Sequence, residues 1–258
     1  MRVASLSEIS GIAPEAKLVS MKILGDDGVG QVSWVLAAIQ RIQEINSDGR
    51  RIQIHGVNLS VGYDFDARWF GCGQSPICVE VNRLVKSGVS VVVAAGNSGF
   101  SGLSSTTSGT TVTGYRSLSI YDPGNAEQAI TVGATHRDSP HLYGVSYFSS
   151  RGPTGDGRLK PDLVAPGERI VSCAAGSKLA NLTASQRKQV LYVEDTGTSM
   201  AAPHVSGSIA AFLSVRREFI GQPERVKEIF LANTVDLGRE RSFQGRGMLD
   251  LMRVLQAV

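Results

Sequence analysis

The sequence predicts an α/β fold of three layers, a mostly parallel sheet with helices on both faces, and three observations carry that expectation. Strand-like and helix-like segments alternate along the chain, the order that builds a parallel sheet covered on both sides. Residues 89–95, Val-Ser-Val-Val-Val-Ala-Ala, have the composition of a strand buried on both faces. At 258 residues, with 42% hydrophobic residues and 29 glycines, the chain is long enough for one sizeable domain with a large core and many tight turns.

Taken in order, residues 17–24, Lys-Leu-Val-Ser-Met-Lys-Ile-Leu, read as a buried strand. Gly25-Asp-Asp-Gly-Val-Gly30 then turns the chain. Those glycines lack the Gly-x-Gly-x-x-Gly order, and two aspartates would repel phosphate, which argues against a phosphate loop. A helix follows with Val32, Leu36, Ile39, Ile42 and Ile45 on one apolar face and Trp34 nearby, ended by Gly49. Residues 52–61 give a second strand running into Ser60, Val61 and Gly62, and 63–77 form an aromatic, turn-rich excursion with Tyr63, Phe65, Trp69 and Phe70. A helix over about 79–86 closes on Ser87-Gly88, a C-cap signal. The strand at 89–95 leads into Gly96-Asn97-Ser98-Gly99, and the Ser, Thr and Gly of 99–115 predict an exposed loop. Residues 129–135 form another strand, 147–153 lead into a turn, and 163–171 form a strand interrupted by Pro166-Gly167. Pro223 opens a helix bearing Val226, Ile229 and Phe230, and a last helix from Met248 carries Leu249, Met252 and Leu255.

A net charge of +3, with the basic residues scattered, gives no case for nucleic acid. No apolar run approaches the length of a membrane span, and no internal repeat is evident. The first six residues lack the apolar core of a signal peptide. Cys72 and Cys78 bracket a short turn-rich span that a disulfide would close, and two ordinary thiols fit the spacing equally. No second Cys or His pair stands at zinc-ligand spacing, and Cys173, after a strand-like run, reads as buried. Asn181-Leu-Thr183 has the form of a glycosylation acceptor, weak evidence by itself.

The chemistry concentrates in residues 197–207, Gly-Thr-Ser-Met-Ala-Ala-Pro-His-Val-Ser-Gly. Gly197 allows a tight backbone approach, and Thr198 and Ser199 supply oxygens of the kind that cap helices. Pro203 is expected near the helix start, where few amide hydrogens are needed. Ile209, Ala210, Phe212 and Leu213 give the helix an apolar face, and Ala201, Ala202, Gly207 and Ser208 let it approach its neighbours closely. A serine here is either an N-cap or a nucleophile whose own amide N–H, aimed by the helix, helps to hold an oxyanion. The pattern is Gly-x-Ser-x-Ala, with Ala201 where an α/β-hydrolase elbow carries glycine. The eleven residues together resemble the serine motif of the subtilisin-like serine proteases (subtilases, peptidase S8), a far more specific signal than three residues would be.

The resemblance covers nearly the whole chain in the family's order. Gly11-Ile-Ala-Pro-Glu-Ala16 and the strand after it resemble the segment that follows the histidine helix of subtilases, and Asn58-Leu-Ser-Val-Gly62 resembles the strand that binds substrate. Residues 87–97 resemble the run ending in the oxyanion asparagine; Phe148-Ser149-Ser150 and Val164-Ala-Pro-Gly167 are further signposts. The resemblance implies that Ser199 attacks the scissile carbonyl of a peptide or protein substrate. It also implies that the Asn97 side-chain amide and the Ser199 backbone N–H hold the oxyanion. By composition alone Gly-Asn-Ser-Gly is equally good turn chemistry. Ser60, Val61 and Gly62 would present a free strand edge to an extended peptide, with Gly28, Val29 and Gly30 facing them. Ala94, Ala95 and Gly96 would line the pocket for the residue before the cut, Thr198 is a further substrate-binding residue, and a cleft built from Ala, Gly and Val suggests a loose preference for apolar side chains. No cofactor is needed for that chemistry. Calcium is common in the family, but the resemblance assigns it no ligands here, and a secreted or extracytoplasmic location follows only from the family.

The chain also departs from the pattern. Subtilases carry their triad in the order Asp, His, Ser. The aspartate strand and the His-Gly-Thr-His helix should precede Gly11, and the ten residues before it contain neither. Residues 1–258 are therefore read as one partial peptidase domain. His55 falls in a predicted strand, His136 and His141 in a loop and His204 along the serine helix, and none matches the family's base by position. Without a base, Ser199 is a poor nucleophile. In subtilisin itself, removing the histidine alone costs about as much as removing the whole triad, ~10⁶-fold in turnover. The chain by itself is expected to be nearly inert and marginally stable, with apolar surface left for self-association or for a missing N-terminal segment to cover. The alternative is a non-catalytic pseudo-peptidase that binds peptides.

Overall fold

The computed structural model describes residues 9–64, 66, 68–104, 111–174, 183, 185 and 192–257. In chain order its elements are α1 (Val32–Ile45), β1 (Gly56–Leu59), α2 (Pro76–Lys86), β2 (Ser90–Ala94), β3 (Phe100–Ser104), β4 (Thr111–Tyr115), β5 (Ile130–Thr135), α3 (Pro140–Tyr143) and β6 (Leu163–Pro166). β7 (Ile170–Cys173), β8 (Tyr192–Asp195), α4 (Thr198–Val215), α5 (Pro223–Ala232), α6 (Arg241–Gln244) and α7 (Leu251–Gln256) follow. Four strands form a parallel sheet in the order β1-β2-β5-β6, with Val57 beside Val91, Val93 beside Thr131 and Val132 beside Leu163.

The three layers follow from the two-residue period of the central strand. Val91 and Val93 of β2 join Ile39 of α1 and Val81, Leu84 and Val85 of α2 in one core. Val92 and Ala94 join Val205, Ile209 and Phe212 of α4 and Phe230 of α5 in the other. All five residues of β2 are buried, as its composition requires. Phe212 and Phe230 meet edge-to-face at 5.7 Å between ring centroids, an arrangement that favours aromatic pairs beyond their buried area.

Several elements differ from expectation for physical reasons. Residues 17–24 form no strand: Leu18 is 93% exposed and Val19 63%, while Met21 and Ile23 pack only partly against the α1–α2 core. An apolar run becomes a buried strand only when a neighbouring layer covers it, and none of the described residues covers Leu18 or Val19. α1 ends at Ile45, where buried Asn46 accepts from the Gln53 and Ile54 N–H groups at 2.9 and 2.8 Å, so Gly49 only continues the turn. The strand expected at 52–61 is confined to β1, which leaves His55 exposed just before it. α2 starts three residues earlier than 79, because Pro76 fits a first helical turn.

Residues 99–115 contain a hairpin rather than a plain loop, β3 pairing antiparallel with β4. Its polar, β-branched sequence suits a ribbon outside the core, and Phe100, Val112 and Tyr115 are exposed on it. The ribbon is anchored by Phe100 against Tyr115 at 5.1 Å, and by the Arg151 guanidinium, which lies 4.2 Å from the Tyr115 ring centre and 4.1 Å from that of Phe243. The interrupted strand at 163–171 is two strands in different sheets: β6 belongs to the main sheet and β7 to a separate ribbon with β8. Cys173 lies on that ribbon and is exposed, not buried. Cys72 and Cys78 are free thiols. The last helix begins at Leu251, after Asp250 accepts the Arg253 N–H, while Met248 bridges Val235. Asn181 of the acceptor sequence lies outside the described residues.

Candidate active site

Parallel sheets gather sites beyond the carboxyl ends of their strands. Here Ser60 follows β1, Gly96 and Asn97 follow β2, and Ser199 is the second residue of α4, which packs on all four strands of the sheet. The first stretch grips the third through two reciprocal bonds. Ser199 Oγ donates to the Ser60 carbonyl at 3.1 Å, and Ser60 Oγ donates to the Ser199 carbonyl at 2.9 Å.

The second of these bonds exists because of Pro203. The proline is the sixth residue of α4, deeper than the expected helix start. Having no N–H, it cannot fill the Ser199 carbonyl four residues back. Ser60 fills it instead, so a residue unfavourable to the helix ties the helix start to the end of β1.

Thr198 and Asn97 form the second connection. The Thr198 backbone N–H and hydroxyl both donate to Asn97 Oδ1, at 2.9 and 3.0 Å, and the Gly96 N–H donates to Thr198 Oγ1 at 3.2 Å. A backbone N–H can only donate, so the Asn97 oxygen must face Thr198 and its amide NH₂ is turned away. Among the described residues that NH₂ has no recorded partner. The Ser199 N–H belongs to the first helical turn, whose donors a helix leaves unpaired. The two residues that carry these donors, Asn97 and Ser199, line the same cleft.

These groups open on a cleft of about 450 Å³. Gly28, Val29 and Gly30 line it together with Ser60, Val61 and Gly62. Ala94, Gly96, Asn97, Thr198 and Ser199 also line it. Ala95 does not: successive strand residues face opposite ways, and Ala95 is fully buried, its carbonyl taken by the Tyr121 N–H at 2.9 Å. The cleft also contains residues that sequence reasoning missed, among them Tyr121, Tyr63, Ile77 and Val35. Nothing in their local sequence marks them, because only the fold brings them to this edge.

No histidine hydrogen-bonds Ser199. His204 Nδ1 contacts the Met200 carbonyl at 2.8 Å, and His136 Nδ1 accepts from the N–H groups of Asp138 and Ser139. His141 lies in the short helix α3, and His55 is exposed before β1. The one hydrogen bond recorded for Ser199 Oγ goes to a carbonyl. Among the described residues no group of three or more His, Cys, Asp or Glu is placed to hold a metal ion. No helix among them is long and apolar enough to cross a membrane.

The model of the Subtilase family, Peptidase_S8, matches residues 3–248. Serine protease AprX of Bacillus subtilis (strain 168) is 32% identical over 235 residues, covering 90% of this chain and 49% of that protein. The major intracellular serine protease of the same strain is 30% identical over 248 residues, covering 94% of this chain and 62% of that protein. Among solved structures, the patellamide maturation protease PatA superposes with a TM-score of 0.67 at 23% identity, over 96% of this chain and 76% of that one. The last likeness shows the fold. The chain spans about half the length of the curated relatives it matches. A relative named as intracellular stands among them, so the family does not by itself fix an extracytoplasmic location.

Proposed function

The chain belongs to the subtilase family, and from that premise we propose that it is the serine-bearing part of a serine endopeptidase. In this reading Ser199 is the nucleophile, and the catalytic aspartate and histidine come from sequence outside these 258 residues. The observation that carries the reading is the orientation of Asn97. Its oxygen is pinned by Thr198, its NH₂ has no partner among the described residues, and Asn97 lines the cleft together with Ser199. An N-cap serine in a merely structural helix gives no reason to hold a neighbouring amide that way. A preorganised oxyanion site does, since donors fixed before the reaction need no reorganisation when charge develops.

An extended substrate adds beside Ser60, Val61 and Gly62, with Gly28, Val29 and Gly30 across from it. Ile23, Val32, Val35 and Ile77 give the far part of the cleft an apolar lining suited to an apolar side chain. The histidine takes the Ser199 proton, which must first leave the Ser60 carbonyl. The substrate carbonyl carbon bonds to Oγ, its oxygen collects the charge against Asn97 Nδ2 and the Ser199 N–H, and the amine leaves with the proton. Water then releases the acyl group. No cofactor enters these steps.

A fluorophosphonate probe, which reacts with activated serines, tests the reading on the protein expressed from its complete reading frame. Mass spectrometry should place the adduct on Ser199 and show none on the 258-residue chain alone. An unlabelled Ser199 in the complete protein contradicts it. The second reading, a peptide-binding module without catalysis, is favoured by the carbonyl partner of Ser199 Oγ. It predicts peptide binding by the complete protein with neither cleavage nor labelling.

A further inference from the structure

Tyr121 occupies the gap between the two segments that form the cleft beside Ser199. A Cβ placed on Gly96 would lie 2.6 Å from Tyr121 Cγ and 2.7 Å from Cδ1, and one placed on Gly62 would lie 3.2 Å from Tyr121 Cβ. The ring thus lies between the backbone after β1 and the backbone after β2: at Gly96 only glycine leaves room for it, and at Gly62, where a Cβ would first meet the Asp122 carbonyl at 2.9 Å, its Cδ2 would lie 3.4 Å away. Gly96 also has φ +107°, which other residues rarely adopt. The ring is held at both ends: the Tyr121 N–H donates to the Ala95 carbonyl at 2.9 Å, and the phenol oxygen lies 2.6 Å from Ser98 Oγ. Tyr121 is half-buried and lines the cleft, so its remaining face is cleft wall.

We infer that Tyr121 sets the specificity of this site, restricting the side chain before the scissile bond to Gly, Ala or Ser. The inference rests on the peptide-cleaving reading above. A peptide laid beside Ser60, Val61 and Gly62 with its carbonyl at Asn97 Nδ2 and the Ser199 N–H must send that side chain between the Gly62 and Gly96 backbones. That is the space the ring fills. A tyrosine with a free phenol could swing aside for a larger group. This one is tethered through Ser98, so swinging aside breaks a part-buried hydrogen bond and moves the ring out of a slot closed on both faces. The small walls of Ala94 and Gly96 alone suggested a loose apolar preference; the ring between them narrows it to small side chains.

The test uses the protein from its complete reading frame and peptides identical except for Ala, Ser, Leu or Phe before the cut. The wild type should cleave the Ala and Ser peptides with kcat/KM at least about tenfold above that for Phe, a discrimination within the reach of pocket shape. Tyr121→Gly should bring the Phe peptide level with or above Ala, and Tyr121→Phe, which keeps the ring, should retain the preference for small residues. Equal cleavage of Ala and Phe peptides by the wild type overturns the inference without any variant. So does an unchanged ratio in a folded Tyr121→Gly. If no peptide is cut, the same ratios are read as Kd on the Ser199→Ala protein. Failure to bind any peptide overturns both this inference and the reading beneath it.

Discussion

Ser60 and Ser199, 139 positions apart, each donate their hydroxyl to the other's backbone carbonyl, at 2.9 and 3.1 Å. The pair couples the end of β1 to the start of α4, so the strand edge that would receive a peptide and the hydroxyl that would attack it move as one unit. Pro203 makes the coupling necessary, since without its N–H the Ser199 carbonyl has no helical donor.

A double-mutant cycle reads this coupling. Ser60→Ala should cost about 1 kcal/mol of stability in urea unfolding, the usual net worth of one hydrogen bond. In a Pro203→Ala background the helix supplies its own N–H to the Ser199 carbonyl, and the cost of Ser60→Ala should fall to near zero. Equal costs in both backgrounds would show that the Ser60 hydrogen bond to the Ser199 carbonyl is independent of the proline.

Thr198 makes a second prediction, this time on activity. Its hydroxyl donates to Asn97 Oδ1 and accepts the Gly96 N–H, so Thr198→Val removes one of the two bonds that aim the Asn97 amide. In the complete protein it should lower kcat with little change in KM, because the amide acts mainly on the developing oxyanion. Asn97→Ala should cost more, ~10²–10³ in kcat, a figure for which subtilisin is itself the source. A change confined to KM in either variant would place Asn97 in ground-state binding instead.

Beneath the far end of the sheet, Asp162 takes Lys160 Nζ at 2.5 Å, Lys227 Nζ at 3.1 Å and the Thr131 N–H at 2.7 Å, with Lys160 and Asp162 both buried. Burial raises the Asp162 carboxyl, and the two lysines outweigh it, so the carboxyl titrates below the usual carboxylate range. A carboxyl depressed in the folded state contributes stability that is present above the unfolded value, ~3.9, and lost as pH falls through the folded one. Stability should therefore drop in acid below about pH 4. Asp162→Asn should remove about 3–5 kcal/mol at neutral pH by taking the charge partner from Lys227 and from buried Lys160, which burial already pushes down to about 7, and should flatten the acid limb. An unaltered acid limb in the variant would assign the acid sensitivity to other carboxylates.

The layers, and the three stretches whose Ser60, Asn97 and Ser199 line one cleft, were legible in the sequence, and the reason is local. The run in β2 is apolar because both faces are covered, and residues 197–207 are unusual enough to mark a site unaided. What was not legible depends on long-range placement. The apolar residues Leu18 and Val19 look like core, but only a covering layer makes them so. The Ser and Thr of β3 and β4 look like loop, but pairing across the ribbon makes them strands. Tyr121 carries no local mark, and its position between Gly62 and Gly96 arises only when β1 and β2 are side by side.

The exposed Leu18 and Val19 give the fourth prediction. The 258-residue chain alone should sediment increasingly as dimers or larger species as its concentration rises, with a Tm that rises alongside. A cooperative melt independent of concentration, with a monomer at every concentration, would show that this surface needs no partner.

Peptide hydrolysis by the protein translated from its complete reading frame, compared with its Ser199→Ala variant, decides whether Ser199 is the nucleophile of a peptidase. With Ser199 in that role the complete protein should cleave a fluorogenic peptide, Ser199→Ala should lose ~10⁶-fold in kcat, and the 258-residue chain alone should show next to no turnover. Undiminished cleavage by Ser199→Ala, or a complete protein that binds the peptide and never cuts it, would contradict that role.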